Sequence, residues 1–285
     1  MLKIVWILVI IMGITMQNVV RKKYNEKTND SGKYSFCAIT ALFALFFFAV
    51  CQSGFTTFPV SMAWYSFSFG ISFAATNVFS ILALLSGPMS LTALVLSCSL
   101  IIPTLYGILF LQEPVTSFFY IGLVLLLFSL ALINCKTEEG SRLSVKWLIY
   151  SFFMFFGNGM CSTIQKAQQL AFDGAFKNEF MILALLIAFG VMLAAVFIKE
   201  RGEIRTSLKE GWTLAAACGI MNGIVNLLVM VLSVRMSVSL LFPLVSAGGI
   251  GFTFLISRFF YREKLTKQQY IGFAAGMVSV LFLNL

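Results

Sequence analysis

Four stretches of this 285-residue chain place neutral polar side chains at helical spacing inside otherwise apolar sequence. Ser66, Gly70, Phe73, Asn77 and Ser80 recur at intervals of four and three, and Gly219, Asn222, Asn226 and Ser233 follow the same rule. Asn158, Ser162 and Gln165 form a third stripe, and Gln17 lies a turn beyond Gly13 on a fourth. Spacing of this kind puts each set on one face of a helix. A side-chain amide offers two N–H donors and a carbonyl acceptor, so four such faces turned inward would hydrogen-bond the polar groups of a small uncharged or zwitterionic solute. Gln17, Asn77, Asn158, Gln165, Asn222 and Asn226 are therefore the candidate binding residues. The same amides could instead bond one another across helix contacts, and the Gly219–Gly223 and Gly272–Gly276 spacings suit close packing of helices. Both readings stay open at this stage.

Other chemistries are excluded by residue type. The chain has no histidine, which removes imidazole proton relays, His-ligated metals and Ser-His or Cys-His catalysis. Its eleven carboxylates all lie near or beyond the ends of apolar runs, so none is available as a proton carrier at membrane depth. The six cysteines are far apart with no CxxC pair, as expected of small packing residues and not of a zinc site or disulfide framework. No G-x-S-x-G stretch occurs. We expect no catalytic residue, no metal and no cofactor. The net charge of +9 comes from basic residues dispersed among loops, which fits juxtamembrane lysines and arginines and not a nucleic-acid partner.

The elements that must carry the polar faces follow from composition. Hydrophobic residues make up 60% of the chain and its mean hydropathy is +0.95, well above the roughly 45–50% apolar content of soluble domains. An all-α integral membrane protein is expected. A spanning helix needs about 20 residues, and ten apolar runs qualify: 2–20, 34–52, 62–85, 89–111, 116–134, 145–165, 179–198, 211–233, 237–259 and 266–284. The first run leads into further spans and lacks a small-x-small cleavage site, so it reads as a helix and not as a cleaved signal.

The runs fall into two sets of five. Glu113 to Gly122 reads EPVTSFFYIG and Glu263 to Gly272 reads EKLTKQQYIG, so Glu, Thr, Tyr, Ile and Gly recur 150 residues apart. Thr15 and Gln17 match Thr163 and Gln165 at 148, Gly70 and Asn77 match Gly219 and Asn226 at 149, and Met89-Ser90 match Met236-Ser237 at 147. Self-similarity at a nearly fixed offset is the mark of duplication. The expected organisation is a first repeat over 1–134, a polar linker over 135–144 and a second repeat over 145–285. Glu113, Thr116, Gly122, Glu263, Thr266 and Gly272 are expected to have structural roles in the repeat. With five spans per repeat, the second must enter the membrane from the opposite side to the first, as in many secondary transporters.

The charge count orients such a chain. The amino-terminal and even-numbered loops hold four basic residues, while the odd-numbered loops hold sixteen, five of them in 21–33. The positive-inside rule then puts both termini outside the cytoplasm. Pro103 and Pro243 lie within runs, and the Ser-Ala-Gly-Gly sequence after Pro243 could break its helix or merely kink it. Trp64, Tyr65 and Phe67 could rim a pocket or belong to an interfacial aromatic belt.

On the twice-occurring E-x-[VL]-T-x-x-x-Y-I-G and the paired five-run sets, the chain resembles the drug/metabolite transporter superfamily, specifically its ten-helix EamA-like members. The resemblance implies a basket of helices around a central cavity, in a bacterial plasma membrane. Such a protein would move a small organic metabolite or drug-like solute, often outward, with cytoplasmic termini. The expected partners are that solute and the lipid bilayer, with the protein a monomer or a homodimer. A membrane subunit or receptor that keeps the fold without transporting is the alternative.

Overall fold

The computed structural model describes residues 2–28, 31–52, 54, 57, 59–99, 101–112, 117–134, 144–201, 211–236, 238–261 and 267–282. Among these residues there are eleven α-helices and no strand: α1 (Leu2–Lys27), α2 (Lys33–Cys51), α3 (Val60–Ser86), α4 (Met89–Cys98), α5 (Ile101–Phe110), α6 (Ser117–Asn134), α7 (Val145–Ala171), α8 (Lys177–Lys199), α9 (Trp212–Arg235), α10 (Val238–Phe260) and α11 (Lys267–Phe282). By length and apolar composition, six described stretches could cross a membrane: Lys3–Lys27, Lys33–Cys51, Val60–Ser86, Leu91–Phe110, Lys177–Lys199 and Trp212–Val234. Large apolar side chains such as Val60, Trp64, Phe152 and Phe260 are exposed on the outside, a surface suited to lipid and costly in water.

Most helices coincide with an apolar run read from the sequence, and two differences matter. First, α1 does not stop near residue 20. The segment RKKYNEK contains no Gly or Pro and is built of residues that a helix tolerates, so the helix continues to Lys27 although the hydrophobicity has ended. Gly32, at φ 70°, makes the turn into α2, and the hydroxyl of the fully buried Tyr24 donates to its carbonyl at 2.7 Å. Arg21 therefore sits in a helix and not in the loop to which the charge count assigned it.

Second, the fourth run, expected as one helix over 89–111, is divided into α4 and α5. The division falls one turn before Pro103. Proline has no N–H to give to the carbonyl of Ser99, four residues back, and its ring crowds that carbonyl. The proline then sits comfortably in the first turn of α5. By contrast α10 runs through Pro243 without a break, so the helix interruption lies in the first half of the chain.

Packing joins the two halves throughout. α3 packs on α7 and α8, α9 packs on α1 and α2, α2 packs on α8, and α6 packs on α11. Two of these contacts are backbone-close. A Cβ on Gly70 would lie 2.6 Å from the carbonyl oxygen of Ala184 on α8, and one on Gly219 would strike the Thr40 carbonyl oxygen on α2. The ends of α2 and α8 are tied reciprocally. Glu200, just past α8, accepts from the backbone N–H groups of Tyr34 (3.0 Å) and Ser35 (2.9 Å) and from the Ser35 hydroxyl (2.9 Å). That carboxylate serves the free N–H groups at the start of α2, which has no side-chain cap of its own. At the other end Gln52, just past α2, donates to Glu179 in the first turn of α8 at 2.8 Å. The two helices are thus antiparallel.

Candidate functional site

A polar-lined cavity of about 160 Å³ lies between α1, α3, α7 and α9, with α4 and α10 also contributing to its wall. All six candidate amides line it. On α1 and α9 they form a chain. The Gln17 side-chain oxygen accepts from Asn222 at 3.0 Å, and the Asn222 side-chain oxygen accepts from Asn226 at 2.9 Å. Asn226 also donates to the Asn222 backbone carbonyl at 2.9 Å, a bond within its own helix. On α3, Asn77 donates to the Phe73 carbonyl at 2.9 Å. On α7, Asn158 donates to the Ser99 hydroxyl at 2.7 Å and approaches the Leu96 carbonyl at 3.4 Å. Asn158 thereby reaches the turn between α4 and α5, where the Leu96 carbonyl also accepts from the Ser99 N–H and hydroxyl and the Ser99 carbonyl accepts from the Ile102 N–H at 3.0 Å. Gln165, also on α7, has its amide nitrogen buried without a hydrogen-bond partner among the described residues.

Sequence reasoning missed the most consequential lining residue. Arg21 is 5% exposed and lines the cavity. Its guanidinium donates to the Asn77 side-chain oxygen at 2.7 Å and to the Ser80 hydroxyl at 3.1 Å, and the Cys218 thiol lies within reach of it. Among the described residues it has no carboxylate partner. The signal was present as spacing: Gln17, Arg21, Asn25 and Thr28 follow one another at four, four and three on a single face of α1, and all four are buried. Ending the helix where hydrophobicity ends concealed that stripe.

The remainder of the lining is apolar or small. Phe69 and Phe73 of α3, Val225 and Val229 of α9, and Leu241 and Val245 of α10 face the same space. Trp64 and Phe67, considered from sequence as pocket rim or belt, do not line it and are exposed. The duplicated motif lies elsewhere. Glu113, Thr116, Glu263 and Thr266 fall outside the described residues. Gly122 and Gly272 are buried in α6 and α11, which pack together, and the Ser129 hydroxyl of α6 donates to the Gly272 carbonyl at 2.6 Å.

No family model matches the chain, and no curated protein matches it. A solved structure described only as "Crystal structure of protein" superimposes with a TM-score of 0.67 over 98% of this chain and 94% of that one, at 13% sequence identity. At that identity the likeness is one of fold alone.

Proposed function

We propose that the chain is a secondary carrier of small organic solutes, built as two inverted five-span repeats that expose the central cavity alternately to either side of a membrane. Within that class, the duplicated E-x-[VL]-T-x-x-x-Y-I-G favours an EamA-like member of the drug/metabolite transporter superfamily. The observation that carries the reading is the cavity itself: seven side-chain amides, the six candidates and Asn18, meet from four helices around one space in a largely apolar bundle. Polar groups at such depth are costly unless they face a cavity or one another.

The packing supports the inverted repeat. Exchanging each run for the one five places along turns the α3–α7 contact into α9–α1 and the α3–α8 contact into α9–α2, and both members of each exchange are made. Gly70 and Gly219, matched in sequence, each approach a carbonyl on the second helix of the other half. The reciprocal ties at the ends of α2 and α8 obey the same exchange.

The test is uptake and counterflow of radiolabelled solutes by the purified protein in liposomes, with protein-free vesicles as control. Solute-specific, saturable flux that falls in Asn77→Ala and Asn226→Ala variants is the expected result. Binding of a solute without flux in either direction would leave a receptor or subunit with this fold.

A further inference from the structure

Among the described residues, Arg21 is the only one lining the cavity that carries a full charge. Taking a guanidinium out of water costs several kcal/mol unless an opposite charge or a full set of acceptors repays it. Among the described residues its partners are all neutral, Asn77, Ser80 and Cys218, and the guanidinium fork has five N–H donors to place. A second donor lies beside the same space: the amide nitrogen of Gln165, a side chain 5% exposed, is buried with no acceptor among the described residues. The Arg21 fork, with donors beyond those given to Asn77 and Ser80, and the Gln165 amide thus lie at a cavity whose apolar walls include Phe69, Val225, Val229 and Leu241. The missing complement is negatively charged and rich in acceptors.

We infer that the transported solute carries a compact oxyanion, a carboxylate or a phosphate ester, which takes the free donors of Arg21 and Gln165 while its apolar body lies against α9 and α10. This rests on the carrier reading and narrows it. A planar guanidinium matches either oxyanion in a two-bond geometry that an ammonium cannot reproduce. The same buried charge repels an organic cation, so lipophilic cationic drugs are excluded as substrates. The stripe on α1 continues past the cavity to Asn25, whose side-chain nitrogen and oxygen are both buried without partners among the described residues, one turn nearer the helix end.

The test uses the full chain in detergent, read by thermal shift against matched probes: butyrate with butyramide, glycerol 3-phosphate with glycerol, and tetraethylammonium as the cation. At least one anion should raise the melting temperature in a saturable way while its neutral mate and the cation do not, and the responding arm identifies carboxylate or phosphate. Arg21→Gln should weaken that binding by about ten- to a hundredfold, the worth of one hydrogen bond to a charged group, and Arg21→Lys should recover part of it. Gln165→Ala, which removes no charge, should weaken binding by a smaller factor and serves if Arg21→Gln does not fold. Equal response to neutral and anionic probes, no response to any anion, or anion binding unaltered in both variants would overturn the inference. A neutral solute that binds and crosses liposomes would overturn it while leaving the carrier reading intact. Arg21-dependent anion binding without flux would do the reverse.

Discussion

The two halves of the cavity wall are alike in position and unlike in charge. Asn77 and Asn226 occupy matched places on α3 and α9, as Gln17 and Gln165 do on α1 and α7. Carried four residues further along those last two helices, the match sets Arg21 against Gln169. Arg21 reaches across to Asn77. Gln169 does not reach Asn226: it donates instead to its neighbour Gln168, and Asn226 bonds within its own helix. The matched positions form a near-symmetric frame of amides, and one residue in the first half breaks that symmetry electrostatically. A symmetric cavity would hold a solute equally well in two opposed orientations. On the proposed carrier reading a single fixed charge would select one, which assigns the asymmetry to recognition and the symmetry to the scaffold.

The largest expected effects test the symmetric part. Gly70→Ala and Gly219→Ala each press a methyl group onto a carbonyl oxygen of a facing helix, and backbone at a helix crossing yields little. Each should cost about 3 kcal/mol, the upper end for overpacking, whereas Gly190→Ala, with open space around its Cβ, should be neutral or slightly stabilising. Melting curves in one detergent decide this. If one of the matched glycines tolerates alanine and the other does not, the scaffold is less symmetric than the packing suggests. Next in size is Asn77→Ala, which strips the shortest bond from a buried guanidinium and should cost about 2 kcal/mol. On the opposite wall, Asn222→Ala frees the neutral Gln17 oxygen and leaves Asn226 only the backbone carbonyl to bond, and should cost about 1 kcal/mol. Equal losses would mean that Arg21 draws its compensation from elsewhere and that the electrical difference between the halves is small.

How far the sequence disclosed this arrangement depends on where each determinant sits. The helices were legible because an apolar run of spanning length is a local property, and most helix ends lie within a few residues of the ends of those runs. The cavity amides were legible because neutral polar residues at three- and four-residue spacing stand out in apolar sequence. Arg21 was not, because hydrophobicity and helicity end at different residues: KKYNEK is too polar for lipid yet contains nothing that stops a helix. The break between α4 and α5 was not legible either. Pro103 and Pro243 look equivalent in sequence, and Pro243 even has the glycine-rich neighbourhood. The turn at Ser99 differs in its tertiary setting: Asn158, from a helix some sixty residues away, donates to the Ser99 hydroxyl, and a proline's own surroundings carry no sign of such a partner.

The smallest expected change in stability separates the two roles open to the amides. Asn226 is half-buried, lines the cavity and donates only to the backbone and side chain of Asn222, one turn earlier on the same helix. Nothing on another helix depends on it. If the amides act as glue between helices, Asn226→Ala should be silent in every assay, because no interhelical bond is lost and the Asn222–Gln17 bond survives. If they act on a solute, the variant should melt within about 0.5 kcal/mol of the parent and still lose affinity, by about threefold to tenfold for one neutral hydrogen bond. Binding measured beside the melting curve therefore gives two different pairs of results. Full affinity at full stability would take Asn226 out of the site and leave recognition to the charged wall alone.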